Sequence, residues 1–136
     1  AAGVICRWSA GNDGQNAISA PANWRDDRAS IAFDMYEDVR ASFSNYDYSA
    51  ARAAQGYRVL MIDRNGNLVR ANGTSFSLPF DNRHLIVAAW MRSASVFDMD
   101  AVMNASARNS VEPTVEEAHG VVSVWKAINK YRREAV

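Results

Sequence analysis

The sequence predicts an α+β fold that is mostly α: four to five helices around one core, with a small antiparallel β-hairpin over about 57–78. Three observations carry that expectation. In residues 26–43 (DDRASIAFDMYEDVRASF), Ala32, Met35, Tyr36, Val39 and Phe43 recur at helical spacing, while Asp34, Glu37, Asp38 and Arg40 fall largely elsewhere. Residues 57–62 (YRVLMI) and 68–70 (LVR) flank Asn65-Gly66, a pair whose tolerance of positive φ favours a hairpin turn. Residues 115–134 place Ala118, Val121, Val122, Trp125 and Ile128 on one stripe behind Thr114 and Glu117, which have capping-box spacing.

In chain order, residues 4–8 read as a short strand or an extended arm, and the Gly- and Asn-rich stretch after them reads as loop. Trp24 is expected to anchor the start of the first helix, whose Asp26 and Asp27 suit the positive end of a helix dipole. The Ala-rich run at 48–55 reads as a short helix stopped by Gly56. A second turn at Asn72-Gly73 would return the chain as a third strand over 75–78. Pro79 would end it, and Asp81 or Asn82 would cap a helix running to about 94–97. Asp98 would cap a further helix over 99–107. The last helix ends among Lys126, Lys130, Arg132 and Arg133, where cations are favoured.

With 136 residues and no linker or repeat, the expectation is a single domain, 1–136, with an N-terminal arm at 1–24 and a globular core at 26–136. Fifteen basic residues balance fifteen acidic ones, which removes the footprint of a free-standing DNA binder and lowers the repulsion that opposes self-association. One cysteine, Cys6, allows no intrachain disulfide and reads as a partly buried thiol behaving as a small hydrophobe. No apolar run is long enough to span a membrane. Asn72-Gly73-Thr74 and Asn104-Ala105-Ser106 match the glycosylation triplet, a pattern too common to fix a compartment. A virion or the cytoplasm is favoured, with secretion left open.

Chemistry is sparse. Asp81-x-x-His84 and Glu116-x-x-His119 each set a carboxylate and an imidazole one helical turn apart, the ligand types of a carboxylate-bridged metal site. Capping and solvation explain the same spacing. Asp63-Arg64-Asn65-Gly66-Asn67 begins like a calcium loop but has its glycine at the fourth position, so it reads as a turn. No G-x-S-x-G, P-loop, dinucleotide fingerprint or H-E-x-x-H is present, so enzymatic activity has no positive support and no cofactor is implied. Most of the basic residues are arginines, and several are interleaved with tyrosines, the chemistry of phosphate forks and base stacking. Ion pairing with surface aspartates is the plainer account of each.

Ala32-Phe33-Asp34-Met35-Tyr36-Glu37, preceded by Pro21-Ala22-Asn23-Trp24, resembles a motif in the coat proteins of flexuous filamentous plant viruses. The resemblance covers only residues 21–37. It implies that Asp34 belongs to an RNA pocket, paired with an arginine.

The expected function is therefore a non-enzymatic, self-assembling coat or nucleoprotein subunit. It would be a homo-oligomer with RNA as candidate partner, contacted by Arg25, Arg28, Asp34, Arg52 and Arg58. The alternatives are a helical metal protein using Asp81, His84, Glu116 and His119, and a small phage- or toxin-related inhibitor module.

Overall fold

The computed structural model describes residues 4–18, 20–24, 28–47, 50, 52–107, 120–123, 126, 127 and 129. Among them the chain forms six strands and two α-helices, β1 (Trp8–Ser9), β2 (Ala29–Asp34), β3 (Val39–Arg40), β4 (Arg52–Gln55), β5 (Val59–Ile62), β6 (Leu68–Ala71), α1 (Thr74–Arg92) and α2 (Val96–Ser106). The mostly helical expectation is thus overturned, and its two central helices are strands.

Residues 26–43 account for most of that correction. All six residues of β2 are buried. A strand covered on both faces shows no polar alternation, so its sequence carries no period-two signal. The helical spacing of Ala32, Met35, Tyr36 and Val39 is incidental, since Met35, Tyr36 and Val39 are exposed in the turn and return strand that follow. Asp34 ends β2 by capping that turn: its Oδ1 accepts from the N–H groups of Tyr36 (2.8 Å) and Glu37 (3.4 Å). The Ala-rich 48–55 run is also no helix. Its described part is β4, parallel to β2 with Ser30 opposite Arg52 and Ala32 opposite Ala54. The small side chains serve packing here, and packing overrides alanine's helix propensity.

β1 runs parallel to β2, with Trp8 opposite Ala29, and β3 is the antiparallel return on β2's C-terminal end. Both lie on one side of β2, with β4 on the other. Beyond β4 the chain returns once more, Ala53 N–H donating to Gly120 O and Val122 N–H to Ala53 O, both at 2.9 Å. One face of the sheet, with Ala29, Ile31, Phe33 and Ala53, closes a core with Ala10, Ile18, Ala22, Ala50 and Val121. The other face, with Ser30, Ala32 and Arg52, lies under α1, where the Ser77 hydroxyl donates to Ser30 Oγ at 3.2 Å. A second apolar cluster joins Leu85, Ala88 and Ala89 of α1 to Met99 and Met103 of α2 and to Ala127. Trp24 anchors nothing; it is exposed at the end of the short 3-10 turn Ala22–Trp24. Cys6 is exposed too.

β5 and β6 pair antiparallel across Asn65-Gly66, with Gly66 at φ 84° and the Asp63 carboxylate accepting from the Asn65 and Asn67 N–H groups. No third strand follows. Residues 75–78 already belong to α1, which runs through Pro79. A proline there deletes only the helical bond to the Ser75 carbonyl, so the helix tolerates it near its start. Ser95, three residues before Asp98, caps α2 by accepting from the Asp98 N–H at 3.1 Å. The expected last helix falls largely outside the described residues. Among the described residues no helix is long and apolar enough to cross a membrane.

Candidate functional site

The site is built where β6 turns into α1. Gly73, the residue before the helix, has no side chain to cap the exposed N–H groups of the first turn. The cap comes instead from Asn12, on the loop after β1. Its Oδ1 accepts from the Thr74 N–H at 2.9 Å and from the Thr74 hydroxyl at 3.0 Å, while Thr74 Oγ1 accepts from the Gly11 N–H at 3.2 Å. With its oxygen fixed, the Asn12 carboxamide can present only its Nδ2 hydrogens outward, and Nδ2 lies 3.8 Å from where a side chain on Gly73 would begin. The next residue, Ser75, is exposed. Neither its backbone N–H nor Asn12 Nδ2 has a hydrogen-bond partner among the described residues. An accessible hydroxyl therefore sits beside two free N–H donors at the positive end of a 19-residue helix.

Two supports hold this geometry. Asn45 fastens the Asn12 loop: its Oδ1 accepts from Asp13 N–H (2.9 Å) and Gln15 N–H (3.1 Å), and its own N–H donates to Gly11 O (2.9 Å). Gly56 ties the turn before Ser75 to the sheet, donating to Phe33 O at 3.0 Å and accepting from Gly73 N–H at 2.8 Å. A Cβ on Gly56 would stand 2.5 Å from that of Ala32 and 2.9 Å from Gly73 O, so only glycine fits. Beside Asn12 opens a cleft of about 250 Å³, lined among others by Trp8, Ala10, Gly11, Asp13, Pro21 and Asn45.

A hydroxyl nucleophile with hydrogen-bond donors beside it is what acyl transfer requires, because the donors stabilise the negative charge that develops on a carbonyl oxygen under attack. Missing among the described residues is a base for Ser75. His84 lies nine residues further along α1, about 13 Å along the helix axis, and His119 lies outside the described residues.

Comparison with known proteins bears on this arrangement. The fold is shared with protease domains. It matches the prenylagaramide maturation protease PagA with a TM-score of 0.78 over 93% of this chain and 50% of that one, at 22% identity. It matches the self-cleaved protease domain of PatA with a TM-score of 0.76 over 92% and 49%, at 21% identity, and a protease from Pseudoalteromonas arctica at 0.78 over 93% and 42%, at 20% identity. In sequence, 77 residues are 34% identical to a cell wall-associated protease of Bacillus subtilis (strain 168), covering 57% of this chain and 8% of that protein. No family model matches the sequence. The chain thus spans about half the length of the solved domains and a small part of the curated relative.

These likenesses overturn the coat-subunit reading and the plant-virus resemblance, whose motif residues form a strand end and a turn. The residues assigned there to RNA are dispersed. Arg52 is fully buried, its Nε donating to Asp81 and its Nη2 to Asp100, both at 2.9 Å, and its Nη1 to Asp100 O at 3.2 Å and to Asn104 Oδ1. Arg7 joins the same cluster, donating to Asp81 and, at 2.7 Å, to Asp100. Burial lowers its pKa, the attraction of Asp81 opposing that shift. Arg28 donates to Asp100 at 3.2 Å from a partly exposed position. Asp34 is the turn cap described above. Arg58 is exposed at φ 51°, its guanidinium 5.0 Å from the Tyr57 ring centre. Arg25 lies outside the described residues.

The metal alternative divides similarly. Asp81 is committed to Arg7 and Arg52, His84 Nδ1 is buried with no hydrogen-bond partner among the described residues, and Glu116 and His119 lie outside them. No group of three potential ligands occurs among the described residues. Asn12 and Ser75 went unassigned in the sequence because Gly73-Thr74-Ser75 reads as part of a turn before a short strand. The available signal was a serine directly after a glycine turn, between a strand and a long helix.

Proposed function

We propose that this chain supplies the nucleophile and the oxyanion-stabilising donors of a subtilisin-like protease domain, with Ser75 as the nucleophile. The observation carrying the proposal is the Asn12–Thr74–Ser75 arrangement: a side-chain amide locked by the helix it caps, next to the free N–H of an exposed serine. The local likeness to a curated protease and the shared fold of solved protease domains support it.

In the proposed reaction, Ser75 Oγ attacks a peptide carbonyl carbon and forms a C–O bond. Its proton passes to a general base that is not among the described residues. The carbonyl electrons move onto oxygen, where Asn12 Nδ2–H and Ser75 N–H receive the charge. Collapse breaks the C–N bond, the amine leaves with a proton returned by the base, and water then cleaves the acyl ester. The cleft beside Asn12 receives the side chain on the acyl side of the scissile bond.

A fluorophosphonate probe applied to the protein isolated from its source tests this. One label per chain, located on Ser75 by mass spectrometry and lost together with peptide hydrolysis in Ser75→Ala, is the expected result. Labelling at a different residue, or hydrolysis that survives Ser75→Ala, would overturn it.

A further inference from the structure

The β5–β6 hairpin is apolar on the face turned to solvent. Cross-strand partners share a face, so Ile62 opposite Leu68 and Leu60 opposite Arg70 stand on one side of the ribbon. All four are exposed, Ile62 at 68% and Leu68 at 67%, whereas Val59, Met61 and Val69 on the other side are buried or half-buried. Arg58 and Arg64 are exposed as well. The acidic residue of the hairpin, Asp63, has its carboxylate engaged by the N–H groups of the turn. The ribbon therefore offers aliphatic side chains flanked by cations. The β2–β3 turn has the opposite sign. Met35, Tyr36 and Val39 are exposed there, and Asp34, Glu37 and Asp38 supply carboxylates with no cation between residues 34 and 39. Among the described residues no ion pair engages Glu37, Arg64 or Arg70. Exposed apolar groups grouped in this way mark surfaces that a partner covers.

The two surfaces rise from one corner of the molecule. Gly73 N–H donates to Gly56 O and closes the base of the hairpin, while Gly56 N–H donates to the carbonyl of Phe33, the residue before Asp34. β2 and β4 run parallel with Phe33 opposite Gln55, so both excursions leave the same end of neighbouring strands. We propose that the partner is a second copy of this chain, docked about a two-fold axis so that the acidic turn of each copy meets the cationic hairpin of the other. Both members of a complementary pair are present on one chain, and a two-fold axis lets adjacent patches satisfy each other twice. Fifteen basic residues balance fifteen acidic ones, so no net repulsion opposes an identical copy. An anionic membrane would suit the hairpin but be repelled by the turn beside it. Neither surface includes Ser75, so the dimer and the nucleophile stand or fall separately.

Solution mass tests the proposal. The protein purified from its source is followed by light scattering from about 1 µM to about 1 mM, at low salt and at about 0.5 M salt. The mass should rise to twice the monomer value, and salt should move the midpoint to higher concentration. Two charge variants locate the contact. Glu37→Arg with Asp38→Asn cancels the acidic turn, asparagine being suited to the φ of 57° at position 38. Arg64→Glu with Arg70→Glu reverses the hairpin at exposed positions. Each should raise the low-salt midpoint at least about tenfold. Ile62→Ser with Leu68→Ser should weaken the dimer at both salt concentrations. An equimolar mixture of the two charge variants should associate more tightly than either alone, because the mixed pair keeps one unaltered turn against one unaltered hairpin. A monomer at every concentration would overturn the proposal. So would midpoints unchanged in the variants, or a mixture no tighter than its components, since either result puts the contact elsewhere.

Discussion

Asp81 offers the sharpest stability test. It lies on α1, fully buried, and neutralises Arg7 from the segment before β1 and Arg52 from β4. Asp100 of α2 meets both arginines and Arg28 as well, so three guanidiniums share two carboxylates. Asp81→Ala would leave Asp100 as the only described carboxylate facing all three. Stranding a buried charge in this way costs about 3–5 kcal/mol, far more than the intact network contributes over an apolar replacement. Urea unfolding followed by circular dichroism should show a lower midpoint at an unchanged slope. Arg52→Met combined with Asp81→Leu removes one charge of each sign and leaves Arg7 and Arg28 against Asp100. The double variant should therefore be more stable than Asp81→Ala alone, a departure from additivity expected of contacting groups. Arg28→Ala, at a position 21% exposed, should cost no more than about 1 kcal/mol. An Asp81→Ala loss below about 1 kcal/mol, or a double variant paying the full sum of its single changes, would refute the claim that charge balance governs this cluster.

Three further outcomes follow from the site and its supports. Asn12→Ala should lower kcat for peptide hydrolysis by about 100- to 1,000-fold with KM nearly unchanged, the size typical of losing one oxyanion donor; steady-state kinetics on the source protein reads this, and a change confined to KM would refute it. Gly56→Ala forces a methyl group against Ala32 and the Gly73 carbonyl, so it should destabilise the fold by about 1–3 kcal/mol and lower kcat through the displaced turn. Burial, helped by repulsion from Arg83 and Arg52 and opposed by Asp81, holds His84 below its ordinary value of 6.5. The folded state then binds the proton less readily than the unfolded one. The His84 contribution to stability is therefore complete above pH 6.5 and is lost as pH falls from there through the lowered folded value. His84→Gln should flatten that decline in unfolding curves between about pH 7 and pH 5, and an unchanged slope would remove His84 as its cause.

How far the sequence could be read depended on whether neighbouring residues carried the signal. The β5–β6 hairpin is announced by adjacent residues, because Asn65-Gly66 sets a turn that the flanking apolar runs can only follow. β2 and β4 carry no such mark. They are covered on both faces by elements distant in the chain, and burial erased the alternation that identifies a strand. The place of Arg52 was hidden for the same reason: from sequence it resembles a surface cation, and only the convergence of Asp81 and Asp100 from two helices makes it a core residue.

The site shows why local reading stopped short. Asn12 and Ser75 are separated by most of the described sheet, and neither is unusual where it stands. Asn12 looks like any loop asparagine until Thr74 takes its oxygen and leaves its nitrogen as a directed donor. Ser75 looks like a strand residue until Gly73, tied to Gly56, lets the helix start at Thr74. Each residue acquires its role from a contact made by its neighbour. Substitutions at Thr74 should therefore act on the reaction through Asn12: Thr74→Val keeps the backbone N–H but loses one of the two hydrogen bonds to Oδ1. That change should reduce kcat less than Asn12→Ala does, and Thr74→Ser should restore it. Equal losses for Thr74→Val and Thr74→Ser would show that the hydroxyl does not orient the amide.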